Sequence, residues 1–316
     1  MKLFAQNEIR KGFNEDAALS AVEIAFRAMH QGKAQIMAVG HLAFSEPPGD
    51  CHVKGAHLAD DEVFVVKLAC GFYKNPDRGI SSSNGFMAVI SASTGEVLGL
   101  LHDEGWLTDQ RTAIAGAIAA RAIARPQART LGIVGAGIQA GLQAYWISRV
   151  LKLQTTLIWA RDPQRANQLA DKLGGAAASL EELCERSDII VTTTPSTKPL
   201  LMSNMVHDGA RIVAIGADSP GKQEIETGLT ARCKIVVDSI PQCVAYGEAG
   251  WAVRAGLLDA SNLFELGALL TTPIKFSDRD VVVADLTGVA VQDVAIAKSV
   301  WQQLKKTSDG ADSMVD

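Results

Sequence analysis

The second half of the chain alternates short apolar runs with longer stretches in which apolar residues recur every three or four positions. Short apolar runs bounded by turn residues are typical of strands in a parallel sheet, and the recurring spacing is typical of helices. The runs predict strands at residues 131–134, 156–160, 189–193, 211–215, 235–237 and 281–284. The intervening stretches predict helices that include residues 139–150, 163–173 and 180–184. This alternation predicts an α/β unit with a doubly wound parallel sheet.

The chain before residue 126 follows a different pattern. Residues 62–69, 85–91 and 97–102 are rich in strand-forming residues, and turn signals separate them. They predict a mostly antiparallel α+β segment. Thr108 is predicted to cap a helix that ends near Arg125, because Pro126 stops it. A last helix is predicted to begin near Gly288.

Composition narrows the class of protein. The chain has 316 residues, 47% of them hydrophobic, and a formal net charge of −5. These values predict a globular protein of one large or two ordinary domains. The acidic balance, without a basic cluster, argues against nucleic acid as a partner, and no apolar run has membrane-spanning length. Five cysteines without a CxxC spacing indicate reduced thiols, no metal site and a cytoplasmic location.

The most informative stretch is a glycine-rich turn between a predicted strand and a predicted helix. Gly135, Gly137 and Ala140 fill the pattern GxGxxG/A. In that pattern the first glycine permits a tight turn, the second lets the backbone approach a pyrophosphate, and the third position allows close helix packing. The turn predicts a nicotinamide dinucleotide site formed by Gly135, Ala136, Gly137, Ile138, Gln139 and Ala140. The alternative is a glycine-rich turn that binds no ligand.

The end of the second predicted strand of this sheet bears on the choice between NAD and NADP. An acidic residue there usually binds the NAD ribose, whereas arginines accommodate a 2′-phosphate. This chain has Arg161, Asp162 and Arg165, with the acid one residue later than NAD binding favours. The sequence therefore predicts NAD or NADP, with a preference for NADP.

Two cations are candidates for binding a substrate carboxylate. Arg111 lies in the first turn of the helix predicted from Thr108, where the helix N-terminus also attracts an anion. The alternative for Arg111 is a surface ion pair with a nearby acid. Lys67 lies within the apolar strand 62–69, on the same face as Val63 and Val65. A lysine there is either on an edge strand or in a cleft where it meets an anion.

Two aspartates are candidates for acid/base chemistry or for ion pairing. Asp218 follows the predicted strand 211–215, beyond the carboxyl end where open α/β sheets bind their ligands. It is either a general acid or base, or a turn-capping residue. Asp293 lies on the apolar face of the last helix, where it predicts a buried ion pair or a carboxylate facing a cleft.

Five motifs occur in an order that resembles one protein family. They are Lys67 in the strand before Asn75-Pro76, Leu107-Thr-Asp-Gln-Arg-Thr-Ala113, Gly135-Ala-Gly-Ile-Gln-Ala140, Gly216-Ala-Asp-Ser-Pro-Gly-Lys-Gln-Glu-Ile225 and Asp285-Leu-Thr-Gly-Val-Ala-Val-Gln-Asp293. With these motifs the chain resembles the ornithine cyclodeaminase/mu-crystallin family from Ala17 to about Gln303. Its GFxxNP…NG and LxDxGxLTDxRT runs are similar to those of the branch associated with ectoine utilisation.

The resemblance implies a fold with two domains. An α+β substrate-binding and dimerisation domain would comprise residues 1–118 and 289–316. A Rossmann NAD(P)-binding domain, residues 119–288, would be inserted into it. The resemblance also implies a homodimer.

The resemblance further implies roles for individual residues. Lys67 and Arg111 would hold the substrate carboxylate, and Asp218 would be the acid/base residue near the α-carbon. Relatives carry one more carboxylate-binding arginine, which residues 32–40 lack, so His52 and Lys54 are expected to replace it. The remaining expected contacts are Ser82 to the substrate and Thr193 and Thr194 to the nucleotide.

The expected activity is amino-acid cyclodeamination, in which NAD(P)+ takes a hydride from the α-carbon, ammonia leaves, a ring closes and the hydride returns. One alternative is NAD(P)H-dependent reduction of a linear or cyclic imino acid, or amination of the alanine dehydrogenase type. A second alternative is a crystallin-like protein that binds nucleotide without catalysis. The expected partner is a small amino acid or cyclic imino acid.

Overall fold

The structure is a computed structural model that describes residues 1–72 and 74–312, with side chains described up to residue 306. It divides into two compact units. The first unit comprises Met1–Arg111 and the C-terminal segment from Val289, and the second comprises Thr112–Gly288. Sequence analysis placed the first boundary after residue 118 and the second after residue 288. The functions assigned to these parts of the chain stay predictions.

Strands and helices account for most of the described chain. The strands are β1 (Lys2–Ala5), β2 (Ala34–Ile36), β3 (Gly40–Ser45), β4 (Pro48–Leu58), β5 (Val63–Phe72), β6 (Ser83–Ser91), β7 (Val97–His102), β8 (Thr130–Val134), β9 (Thr155–Trp159), β10 (Ala176–Ala177), β11 (Ile189–Thr192), β12 (Arg211–Ala214), β13 (Lys234–Val237), β14 (Phe264–Glu265) and β15 (Val282–Asp285). The α-helices are α1 (Gln6–Lys11), α2 (Glu15–His30), α3 (Trp106–Ile123), α4 (Ile138–Val150), α5 (Pro163–Leu173), α6 (Leu180–Arg186), α7 (Thr227–Arg232), α8 (Ile240–Tyr246), α9 (Glu248–Arg254), α10 (Leu266–Thr271) and α11 (Ala290–Asp312).

The first unit is built on a mixed sheet. Its strand order is β1-β7-β6-β5-β4-β2, and β3 pairs with β4. β1 runs parallel to β7, and the other neighbours are antiparallel. Helix α11 contacts β4, β5 and β6 as well as α2. The end of the chain therefore returns to cover the sheet formed by its beginning.

Strand β5 places Lys67 on the covered face of this sheet. Val63, Val65 and Lys67 are buried, whereas the residues between them are only half-buried, as period-two alternation predicts. β5 lies between β4 and β6, so it is an interior strand. The prediction that Lys67 lies on an edge strand is therefore wrong, and its burial needs a counter-charge.

The second unit is built on a fully parallel sheet. Its strand order is β10-β9-β8-β11-β12-β15-β13-β14. The chain moves outward from β8 through β9 and then restarts at β11 on the other side of β8. The order reverses there, and doubly wound sheets bind ligands beyond the strand ends at such a reversal. All six predicted strands are confirmed to within one residue at each end, and with them the α/β fold class.

The sequence analysis misplaced the start of α3 and missed β2, β3 and β4. The helix begins at Trp106, and Asp103 Oδ2 accepts a hydrogen bond of 2.7 Å from the Leu107 N–H. Thr108 therefore lies inside the helix rather than at its cap. The strand β4 was missed because Pro48, Gly49 and Gly55 are typical of turns.

Candidate functional site

Two buried cations in the first unit share one carboxylate oxygen. The Lys67 Nζ lies 2.9 Å from Asp293 Oδ1, and the Arg111 Nε lies 3.0 Å from the same oxygen. The Arg111 Nη1 also donates to Gln292 Oε1 at 2.9 Å. The three charged residues are each at most 7% exposed. Strand β5 and helices α3 and α11 thus converge on a single ion cluster.

Sequence analysis predicted a buried ion pair for Asp293, and this prediction is confirmed. It did not connect Asp293 with Lys67 or Arg111, because the three residues are far apart in the chain. Gln292, which contacts Arg111, was also missed. The signal was present, since Gln292 and Asp293 end the fifth family motif side by side.

The cluster carries an excess of positive charge. Lys54 on β4 lies directly opposite Lys67 on β5, is 9% exposed, and adds a third cation. Burial and the charge of Arg111 lower the pKa of Lys67 to about 7. Burial by itself would raise the pKa of Asp293, but the charges of Lys67, Arg111 and Lys54 hold it below 3.8.

A second acid, Asp103, lies within the electrostatic reach of Lys67, and burial raises its pKa to about 6. Three cations therefore face two carboxylates, one of which accepts a proton near neutral pH. The Asp293 Oδ2 is buried and has no hydrogen-bond partner among the described residues. The buried cations Lys67 and Arg111 are the groups that would be stabilised by a bound anion. The arrangement is suited to binding a small carboxylate.

The other predicted substrate residues also lie in the first unit. His52 and Lys54 are two positions apart on β4, so they face the same side of the sheet. The His52 ring stacks on His41 at a centroid distance of 4.6 Å, and its Nε2 lies 3.7 Å from Asp50 Oδ1. Ser82 precedes β6, and its carbonyl accepts a hydrogen bond from the Phe72 N–H. The structure thus brings Lys54 next to Lys67, whereas His52 lies further along β4.

The glycine turn has the geometry that a dinucleotide requires. Gly135 follows β8 with φ +131°, and a Cβ there would lie 2.4 Å from Thr193 Oγ1. A Cβ on Gly137 would meet no described atom within 4 Å, so this side of the turn is open. Gly137 is the N-cap of α4, and no described side chain caps the helix. An open helix N-terminus of this type attracts phosphate, so the turn fits a pyrophosphate.

The other residues of the glycine turn pack on the sheet or begin helix α4, and Thr193 supports the turn from β11. Ala140 is fully buried, as the close packing of α4 on the sheet requires. Ile138 is 54% exposed at the first position of α4, and Gln139 follows it. Thr193 donates from its backbone N–H and from its hydroxyl to the Val134 carbonyl, at 2.9 and 3.2 Å. It therefore ties the end of β11 to the glycine turn.

The residues after β9 bear on cofactor choice. Asp162 caps α5 and accepts a hydrogen bond of 2.9 Å from the Gln164 N–H. Arg161 is exposed, and the Arg165 Nη2 lies 3.4 Å from the Ala136 carbonyl oxygen in the glycine turn. A carboxylate already engaged as a helix cap is less suited to bind a ribose. The preference for NADP stays a prediction.

Asp218 lies in the loop after β12, in the second unit. Its side chain is 52% exposed, and the Lys222 Nζ donates to Asp218 Oδ1 at 2.6 Å. The Ser219 hydroxyl lies 3.4 Å from the same oxygen. Asp218 and Lys222 thus form an ion pair within the loop.

Buried carboxylates near Asp218 were not singled out from the sequence. Glu224, Asp238, Glu248 and Asp285 are all fully buried in the second unit. Burial raises the pKa of Glu248 to about 9 and that of Asp285 to about 7. A local signal existed for Glu224, which belongs to the motif that contains Asp218, and for Asp285, which begins the fifth motif.

The chain belongs to the ornithine cyclodeaminase/mu-crystallin family, whose sequence profile matches residues 2–308. The resemblance inferred from the motifs is therefore confirmed. An uncharacterized cyclodeaminase of Sinorhizobium fredii is 35% identical, with 98% of each chain covered. The alanine dehydrogenase of Archaeoglobus fulgidus is 33% identical over 98% of this chain and 97% of its own. The iminosuccinate reductase of Paracoccus denitrificans is 32% identical over 96% and 97%.

Solved structures give the same assignment. An archaeal alanine dehydrogenase dimer with bound NAD has a TM-score of 0.91 at 32% identity, covering 98% of this chain and 97% of that chain. The Paracoccus denitrificans iminosuccinate reductase in complex with NAD+ has a TM-score of 0.89 at 31% identity, with the same coverage. The relatives are thus nicotinamide-dependent enzymes.

The structure also bears on membranes and metals. Of the helices described, none is both long enough and apolar enough to cross a membrane. Within the described ranges, His, Cys, Asp and Glu side chains form no group arranged to hold a metal ion.

Replacement of Asp293 tests the cluster. Asp293→Ala leaves Lys67 and Arg111 buried without their shared counter-charge, so the free energy of unfolding should fall by about 3–5 kcal/mol. Urea denaturation measures this change. Glu23→Ala, which breaks an ion pair with Arg27 at 2.7 Å on the surface of the same unit, is the control and should lower stability by about 1 kcal/mol or less. Equal effects of the two substitutions would contradict the buried cluster.

Proposed function

We propose that this chain catalyses nicotinamide-dependent hydride transfer at the α-carbon of a small amino or imino acid. The observation that carries the proposal is the buried pair of Lys67 and Arg111, two cations that share one carboxylate oxygen of Asp293 and suit a substrate carboxylate. The family and its NAD-bound relatives support the cofactor class.

Arg111 and Lys67 are assigned to hold the substrate carboxylate. A guanidinium offers five N–H donors in one plane and binds a carboxylate with two parallel hydrogen bonds. Gln292 accepts a hydrogen bond from Nη1 and so helps to fix that plane, and Asp293 Oδ1 lies 3.0 Å from Nε. Lys67 adds a point charge held by the same aspartate. Fixing the carboxylate in this way orients the α-carbon, which lowers the entropic part of the barrier.

The glycine turn is assigned to the dinucleotide, with Gly135 and Gly137 at the pyrophosphate and Thr193 beside it. A bound nicotinamide would supply the hydride donor or acceptor. Arg161 and Arg165 are assigned to a 2′-phosphate, which makes NADP the preferred cofactor. Asp218 is assigned the proton transfer at the substrate nitrogen, because a carboxylate can act as a general acid or base and Asp218 lies in the loop beyond the carboxyl end of β12, in a family motif.

Net oxidation or reduction is the favoured outcome, with an imino acid reduced to an amino acid or the reverse. The cations Lys67 and Arg111 attract a substrate whose carboxylate charge is not offset by a second ammonium group. This differs from the expectation of cyclodeamination, whose diamino acid substrates carry that second ammonium. The named activities of two full-length relatives, alanine dehydrogenase and iminosuccinate reductase, agree with the same preference.

Cyclodeamination is the second candidate. It is favoured by the relative of 35% identity that carries the name of a cyclodeaminase. In that reaction the α-carbon hydride leaves and returns, a distal amine closes the ring, and ammonia is released. The cluster would hold the carboxylate in the same way in both reactions.

We also propose a homodimer. Strand β3 is exposed along its whole length, including Leu42 at 63% and Phe44 at 44%, and such apolar exposure is typical of an interface. The archaeal alanine dehydrogenase is described as a dimer.

Nicotinamide absorbance and ammonia release, measured together, separate the two candidate reactions. α-Keto acids with ammonia should cause consumption of reduced cofactor in steady state, because an imino acid forms and is reduced. Diamino acids should release no ammonia at constant cofactor. Ammonia release without net cofactor change would identify a cyclodeaminase instead. Inactivity with both classes of substrate would refute hydride transfer at an α-carbon.

The pH dependence of substrate binding tests Lys67. Its charged form binds the carboxylate, and its pKa is about 7, so the charge is present below that pH and lost above it. The KM for the substrate should therefore rise as the pH increases above about 7. Lys67→Arg keeps its charge at all these pH values, so its KM should stay flat.

The matched control for this experiment is Lys172→Arg, an exposed position on α5. Its pH profile of KM should equal that of the unmodified protein. Lys67→Met should raise KM about tenfold or more below pH 7, since a charged hydrogen bond contributes about 1.5–3 kcal/mol. A wild-type pH profile in Lys67→Arg would exclude Lys67 as the titrating group.

A further inference from the structure

We propose that Glu224 is a positioning residue that holds the loop of Asp218 in its reactive place. This inference rests on the proposed function, in which Asp218 transfers the proton. Glu224 is fully buried in the second unit and does not belong to the predicted site. Its carboxylate joins the chain segments that follow two adjacent strands, β11 and β12.

The two oxygens of Glu224 accept hydrogen bonds from different segments. Oε1 accepts from the Thr194 N–H at 2.6 Å and from the Thr194 hydroxyl at 2.7 Å. Oε2 accepts from the Gly216 N–H at 2.9 Å. All three partners donate, so the position requires a group that only accepts. An ionised carboxylate meets this requirement, whereas a glutamine would direct an NH2 group at one of the donors.

The contact with Gly216 leads directly to Asp218, two residues further along. A Cβ at Gly216 would lie 2.4 Å from Glu224 Oε2 and 2.1 Å from the Thr194 carbonyl oxygen. Glycine is therefore required here for the close approach. At the other end of the loop, the Trp251 Nε1 donates to the Lys222 carbonyl at 3.0 Å, and Lys222 Nζ binds Asp218. Hydrogen bonds thus hold the loop at both ends, and the bond from the Gly216 N–H to Glu224 is the one at its beginning.

A second buried acid, Glu248, accepts hydrogen bonds from the backbone of Glu224 and of the next residue. Glu248 accepts from the Glu224 N–H at 2.6 Å and from the Ile225 N–H at 3.2 Å. The Ala249 N–H, next to Glu248, donates to Asp285 Oδ2 at 2.9 Å. Asp285 is the last residue of β15. A continuous set of hydrogen bonds thus connects the sheet to Glu224 and, through Gly216, to the Asp218 loop.

Burial of the Glu224 carboxylate is costly unless its oxygens accept hydrogen bonds. Burial raises the pKa of Glu224, while the hydrogen bonds from Thr194 and Gly216 oppose that rise. A fold gains nothing from placing such a group here for packing alone, since an apolar residue of similar size would fill the space. A carboxylate is needed at this position because it accepts the hydrogen bonds from Thr194 and Gly216 and so holds these donors in place.

The test uses Glu224→Gln in the full-length protein, with Glu226→Gln as the matched control. Glu226 accepts the same kind of hydrogen bonds, from the Ser203 N–H at 2.7 Å and from its hydroxyl, but it is only half-buried in the same unit. Glu224→Gln should lower kcat about tenfold or more with less than about a twofold change in substrate KM. The control should keep both constants.

A double substitution separates positioning from general destabilisation. If Glu224 acts through Asp218, then Asp218→Asn combined with Glu224→Gln should be no slower than Asp218→Asn alone. If the two losses of kcat multiply in the double variant, the proposal is overturned. A wild-type kcat in Glu224→Gln would overturn it as well. A wild-type kcat in Asp218→Asn would instead refute the proposed role of Asp218, and the two failures are thereby distinguished.

Hydrogen exchange provides a readout that does not depend on activity. In Glu224→Gln the amides of Gly216 and Thr194 should exchange about tenfold faster, whereas in Glu226→Gln only the Ser203 region should change. If Glu224→Gln does not fold, Glu224→Asp, which keeps the charge but shortens the reach, should show the same pattern. Unchanged protection at Gly216 in the folded variant would overturn the proposal.

Discussion

The interaction on which the first unit depends is the pairing of Lys67 and Arg111 with one oxygen of Asp293. A lysine on an interior strand and an arginine at the start of a helix are both buried, and neither is stable there without a counter-charge. Asp293 supplies that charge from a helix at the far end of the chain. The C-terminal helix must therefore return to the first sheet, which makes the first unit discontinuous in sequence.

The same interaction connects stability with the proposed function. Lys67, Arg111 and the neighbouring Lys54 place several cations in a region of low exposure around Asp293. Under the proposed function, the substrate carboxylate binds to these cations. The second unit also buries charged groups, and its carboxylates Glu224, Asp238, Glu248 and Asp285 each accept a hydrogen bond from a backbone N–H.

Sequence reasoning predicted the parallel sheet well because its strands are buried on both faces and read as uninterrupted apolar runs. It found the glycine turn because Gly135 and Gly137 fill a known pattern, and at Gly135 a Cβ would lie only 2.4 Å from Thr193 Oγ1. It failed at β2, β3 and β4, where glycine, proline and polar residues obscure alternation. It also could not join Asp293 to Lys67 or Glu224 to Gly216, because spacing in the chain carries no information on contacts across a fold.

The most direct test of hydride transfer to an α-carbon is an isotope-transfer experiment. The protein is incubated with reduced nicotinamide cofactor deuterated at the transferable position, an α-keto acid and ammonia, and the amino acid formed is examined by mass spectrometry and NMR. The account predicts deuterium at the α-carbon of the product, and loss of product formation in Arg111→Met. Product without deuterium at that carbon, or undiminished transfer in Arg111→Met, would contradict it.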